Sequence, residues 1–120
     1  MATQGVVRHA LSVTSSLVAA GISTETQVLI GPNDGAPNFA MRRFVMGVGG
    51  GMPLHTNLVE HEQYVVRGKA AVTIGDTVHH VNEGDALLIP SGTPHSYEVE
   101  QAPFEFLCIV PNNEDKIELC

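Results

Sequence analysis

The stretch His55-Thr56-Asn57-Leu58-Val59-Glu60-His61 decides how this chain is read, and Pro90-Ser91-Gly92-Thr93-Pro94-His95 answers it downstream. His55 and Asn57 are two residues apart, so on an extended strand both side chains point to one face. His61 follows a short bend and opens the next strand, with Gln63 and Val65 on its face. His95 opens another, with Tyr97 and Val99. If that shared face is the inside of a barrel, three imidazoles from three strands meet in an apolar cavity. Burying neutral histidines without partners costs roughly a few kcal/mol each, and a divalent cation removes that cost. Histidine is the usual ligand for such metals as Zn, Cu, Fe and Ni.

Outward from this stretch the chain breaks into short apolar or alternating runs separated by turn signals. Thr24–Ile30 reads as a strand ended by Gly31-Pro32-Asn33-Asp34-Gly35. Residues 38–47 lead to the run Gly49-Gly50-Gly51 and then to residues 52–57. Further runs cover residues 62–66, 70–74, 77–81, 86–89, 95–100 and 104–110, with Arg67-Gly68, Gly75-Asp76 and Asn82-Glu83-Gly84-Asp85 as turns. Even spacing of this kind predicts an all-β domain, a small antiparallel β-barrel or sandwich. Residues 1–23 form an N-terminal peripheral segment, a short helix or a swapped strand; residues 24–112 form the barrel domain; residues 113–120 form a polar C-terminal tail.

Composition narrows the function classes. The chain has 120 residues, 43% apolar and 16% charged, which makes it one globular domain with a real core. A net charge of −7 with only six Lys and Arg offers no basic stripe, so no nucleic-acid partner is expected. No apolar run reaches the roughly 18 residues of a membrane helix, so no membrane partner is expected. Cys108 within an apolar run and Cys120 at the last position argue against a disulfide framework and point to a reducing, cytoplasmic setting. Residues 6–20 are too interrupted by Ser12, Thr14, Ser15 and Ser16 to read as a signal peptide.

With both histidine stretches in view, the chain resembles the cupin superfamily. Gly49, His55, Asn57, His61 and Gly68 fall at the spacings of the first cupin motif, and Gly84, Pro90, Gly92 and His95 at those of the second. The resemblance implies a cupin, or jelly-roll, barrel and one divalent transition metal (Mn, Fe, Ni, Cu or Zn), held by His55, His61 and His95 with Asn57 at a fourth position. It also implies a homodimer. Three residues depart from the pattern: His61 stands where the common site has glutamate, Asn57 where it has a histidine, and Val99 where the second motif has asparagine. Using Glu60 or Glu62 as the ligand instead breaks the spacing to Gly68 and turns the side chain to the other face. The chain is similar to small four-histidine cupins, some of which bind manganese, with Asn57 in place of one histidine.

Three neutral imidazoles leave a dication more electrophilic than a carboxylate-containing set does, and Asn57 leaves coordination positions open. By analogy with three-histidine cupins, the leading expectation is a mononuclear oxygenase acting on a small enol or β-diketone. The alternatives are a metal-dependent isomerase or lyase, or a non-catalytic small-molecule-binding cupin. Gln63 faces the site as a possible substrate contact or as a polar plug; Tyr97, Phe106, Cys108 and Phe44 are candidates for the pocket wall or plain core. Of the neighbours Arg42 and Arg43 one points inward, which suggests an anionic substrate unless it serves an ion pair. His79 and His80 point to opposite faces, and His9 has no visible partner.

Overall fold

The computed structural model describes residues 4–120. The chain folds into antiparallel β-structure: β1 (Ser16–Leu17), β2 (Ile22–Ile30), β3 (Phe39–Thr56), β4 (His61–Ile74), β5 (Thr77–Asn82), β6 (Ala86–Ile89), β7 (His95–Pro111) and β8 (Glu118–Leu119). Two single 3₁₀ turns, Ala10–Ser12 and Pro32–Asp34, are the helical pieces. The ladder runs β1-β2-β3-β7-β4-β5, with β6 on β4 and β8 on β3. Of the barrel and sandwich that the spacing of runs and turns allows, this is the barrel, in the jelly-roll form that the cupin resemblance implies.

Three long strands make the wall, and each differs from the sequence reading in one way. Arg67-Gly68, expected as a turn, is a bulge inside continuous β4, with the register against β7 shifting at Val65, Arg67 and Lys69. The runs at 95–100 and 104–110 are likewise one strand, β7. The Gly49-Gly50-Gly51 run bends β3 without ending it, and pairing to β7 resumes at Gly51 opposite Glu98. A bulge and a turn carry the same local glycine signal. The neighbouring strand, which bends alongside, decides between them.

Alternation sets the core. On β4, His61, Gln63 and Val65 are buried while Glu62 and Tyr64 are exposed. Phe44, Phe106 and Tyr97 stack in sequence, with centroids 5.0 and 5.4 Å apart and planes 9° and 10° from parallel. Phe104 packs on Phe106 at 5.4 Å. Burying each such ring stabilises the fold by about 1.5–3 kcal/mol.

Residues 1–3 of the expected N-terminal segment lie outside the described residues; within the rest of it, β1 pairs with β2 of the same chain. Arg8 binds Asp34 at 2.6 Å, and buried Gln27 donates to the carbonyls of Ala10 and Val13. The C-terminal residues, expected as a tail, return to the barrel: β8 pairs with the end of β3, and Asp115 reaches Asn57. No helix among the described residues is long and apolar enough to cross a membrane.

Candidate metal centre

His95 opens β7 opposite His55 of β3, His61 opens β4 opposite Ile89 of β6, and the three side chains line one interior cavity. His55 pairs directly with His95 across β3 and β7. Their rings lie 4.1 Å apart at 53°, and the rings of His61 and His95 lie 5.9 Å apart at 73°. All three are buried, and so is Asn57. Glu60 and Glu62, the alternative ligands, are exposed.

The tautomers follow from the backbone. His55 Nδ1 lies 2.8 Å from the Pro53 carbonyl and His95 Nδ1 2.9 Å from that of Thr93. A carbonyl only accepts, so both Nδ1 atoms carry the proton and both Nε2 atoms present a lone pair. Nε2 of His61, Nε2 of His95 and Oδ1 of Asn57 are buried without a hydrogen-bond partner. Burial, with the nearby charge of Arg42 and neighbouring His95, pushes His61 down to about 4. Burial also lowers His95, against the Thr93 carbonyl, which favours its charged form. Neutral, unpartnered imidazoles are the state a borderline divalent cation binds.

As the rings stand, no three His, Cys, Asp or Glu among the described residues form a closed ligand group. His61, further from His95 than His55 is, is the outlying ring. The donor chemistry nevertheless fits such a cation, since orphaned buried nitrogens and an orphaned amide oxygen line one cavity.

That cavity encloses about 390 Å³, part of it open to solvent, and is lined by the three histidines, Asn57, Gln63, Tyr97, Phe44, Phe106, Met46, Met52, Arg42, Val18 and Ile117. Cys108 lies behind this wall, fully buried, against Gln63 and Arg42. Burial raises its thiol, so it stays protonated. Gln63 donates to the Tyr97 hydroxyl at 2.8 Å, and burial keeps that phenol neutral well above its ordinary range. These two side chains satisfy each other and form a polar wall. His79 and His80 are both exposed, His80 beside Glu100, and His9 accepts from the Leu11 amide at the first 3₁₀ turn.

Reading the sequence missed Val18, Met46 and Met52 in the wall, and Asp115 and Ile117 from the expected tail. Asp115 accepts from Asn57 Nδ2 at 2.9 Å and from the Leu58 amide at 2.8 Å. Across 58 positions of chain no local pattern connects them.

The family described as Cupin domain matches residues 42–110. Among solved structures the chain is similar to the polyketide cyclase RemF from Streptomyces resistomycificus, with a TM-score of 0.88 and 26% identity over 97% of this chain and 85% of that one. It is similar to a cupin-2 domain protein from Rhodospirillum rubrum, with a TM-score of 0.80 and 26% identity over 98% and 80% of the two chains. A cupin 2 domain-containing protein from Halorhodospira halophila follows at 0.76 and 30% identity, over 82% and 70%. No curated protein matches the chain.

Proposed function

The chain belongs to the cupin-domain family, and from that premise we propose that it is a mononuclear metal-dependent enzyme acting on a small, enolisable β-dicarbonyl compound. The observation that carries this reading is the pair of buried, unpartnered Nε2 atoms of His61 and His95 beside the unpartnered Asn57 oxygen. His55, His61 and His95 hold the cation and Asn57 offers its amide oxygen, a variant of the four-histidine arrangement. When bound, a divalent cation supplies Lewis acidity toward a carbonyl oxygen.

The chain's own residues do the rest. Pro53 and Thr93 carbonyls fix the ring tautomers of His55 and His95. Asp115 aims the Asn57 amide. Phe44, Met46, Met52 and Phe106 give the wall an apolar portion, which lowers the local dielectric around a polarised carbonyl. Gln63 and Tyr97 are bound to each other, so neither serves as a free base.

The likeness to a polyketide cyclase over nearly the whole chain favours a ring-forming condensation, chemistry that needs an enolised β-dicarbonyl but no oxidant. A second reading, oxygenative cleavage of the same substrate class, is favoured by a donor set without a carboxylate. Oxygen consumption separates the two. With poly-β-ketones long enough to close a six-membered ring, condensation expels water and gives product at constant dissolved oxygen, whereas cleavage, of these or of benzoylacetone, consumes about one O₂ per substrate. Absence of turnover of any such compound by protein loaded in turn with Mn, Fe, Ni, Cu and Zn contradicts the enzymatic reading and favours a binding module.

A further inference from the structure

Arg42, the fourth residue of β3, lines the same cavity as the histidines. The other arginines are paired: Arg8 with Asp34, and Arg43 and Arg67 both with Glu105, each at 2.6 Å. Arg42 has no carboxylate partner among the described residues. Its guanidinium packs over the Phe44 ring, 5.2 Å from the centroid, and Nη2 makes one weak contact to Cys108 Sγ at 3.5 Å. Its Nε is buried with no hydrogen-bond partner. Cys108 is a neutral thiol and no counter-ion, and Asp115 is engaged by Asn57 and the amides of Leu58 and Lys116. A partly buried guanidinium left in this state is costly, and it becomes favourable when an anion arrives. Its planar fork matches two oxygens that share one negative charge.

We propose that Arg42 anchors a planar, delocalised oxyanion of the substrate inside the cavity, either a carboxylate or the enolate of a β-dicarbonyl. The proposal rests on the reading of the cavity as a β-dicarbonyl site and names the charge its ligand carries. Arg42 is thus a specificity residue: it selects acidic members of the substrate class over neutral ones.

Calorimetric titration of the purified protein with benzoylacetate, and with benzoylacetone, which replaces the carboxylate by a methyl ketone, tests this. Wild-type protein binds benzoylacetate, and Arg42→Met weakens that binding roughly tenfold or more, as loss of a charge-assisted hydrogen-bonded pair does. If the carboxylate is the anchored group, benzoylacetone affinity stays near that of wild type. If the enolate is, benzoylacetone loses affinity in Arg42→Met as well, and the loss grows as pH rises and the enol ionises. Arg42→Lys keeps the charge without the fork and falls between wild type and Arg42→Met. Failure of wild-type protein to bind benzoylacetate, or equal affinity in wild type and Arg42→Met, overturns the assignment. If Arg42→Met does not fold, Arg42→Lys carries the test, and unchanged benzoylacetate affinity in it overturns the assignment equally. Elemental analysis of the same samples keeps the two readings apart. Arg42-dependent binding without metal contradicts the metal centre and leaves the anchor standing, and metal without Arg42-dependent binding does the reverse.

Discussion

Asn57 donates through Nδ2 to the Asp115 carboxylate at 2.9 Å, which leaves its Oδ1, buried and unpartnered, for the histidine cavity. A carboxylate accepts only, so the amide cannot turn over without loss of that bond. Burial alone raises the Asp115 carboxyl, but the amides of Leu58 and Lys116 and the Asn57 side chain outweigh it and hold the group below its ordinary range. Asp115 therefore acts on the site through Asn57. Asp115→Ala is expected to weaken metal binding roughly tenfold or more, as removal of such outer hydrogen bonds does, while calorimetry still shows one metal per chain at saturation. Unchanged affinity places Asn57 outside the coordination shell. Asn57→His is expected to tighten binding, because imidazole is the stronger donor for borderline metals. At this scale the histidines were legible, since strand alternation gives each of His55, His61 and His95 a defined face and the two cupin-like motifs identify that face as the barrel interior. Asp115 was not, because a fold-level return of the chain brings it there.

Gly68 shows what local sequence conveys about an element and what it does not. Its φ is +84°, and a Cβ there would clash with the Pro103 carbonyl oxygen and lie 2.8 Å from the Phe104 Cα, both on the backbone of β7. Arg67-Gly68 announces a positive φ, but a turn and a bulge both require one. The bulge lets β4 follow β7 around the barrel and so carries His61 and the far end of β4 on one continuous wall. Gly68→Ala is expected to cost about 3 kcal/mol or more, from backbone strain plus overpacking, read as a lowered urea midpoint. A loss below about 1 kcal/mol contradicts this account of the bulge. The strand set itself was largely visible in the sequence. Strand continuity was not, because the neighbouring strand decides it.

Across the whole molecule, the buried histidines tie stability to pH. His61 titrates near 4 when folded and at its ordinary 6.5 when unfolded. Between those values the unfolded chain binds more protons, so stability is full above pH 6.5 and falls as pH drops toward 4. The decline attributable to His61 is about 3 kcal/mol at most. In chelator-treated protein, the difference in urea stability between pH 7 and pH 4.5 is expected to shrink markedly in His61→Gln. An undiminished difference contradicts the burial argument. The outer surface bears on assembly: Phe39 and Met41 are exposed on β3, with partly buried Ile109 of β7 opposite Met41. This apolar face supports the proposed homodimer, for which light scattering is expected to give twice the chain mass; a monomer at micromolar concentration contradicts it.

The proposed enzymatic function depends on the histidine cluster holding one cation, and elemental analysis of the purified, tag-free protein beside His95→Ala tests that most directly. The account predicts close to one transition metal per wild-type chain and a sharp loss in His95→Ala with the fold retained. Metal-free wild-type protein that takes up none of Mn, Fe, Ni, Cu or Zn on dialysis, or full retention in the variant, contradicts it.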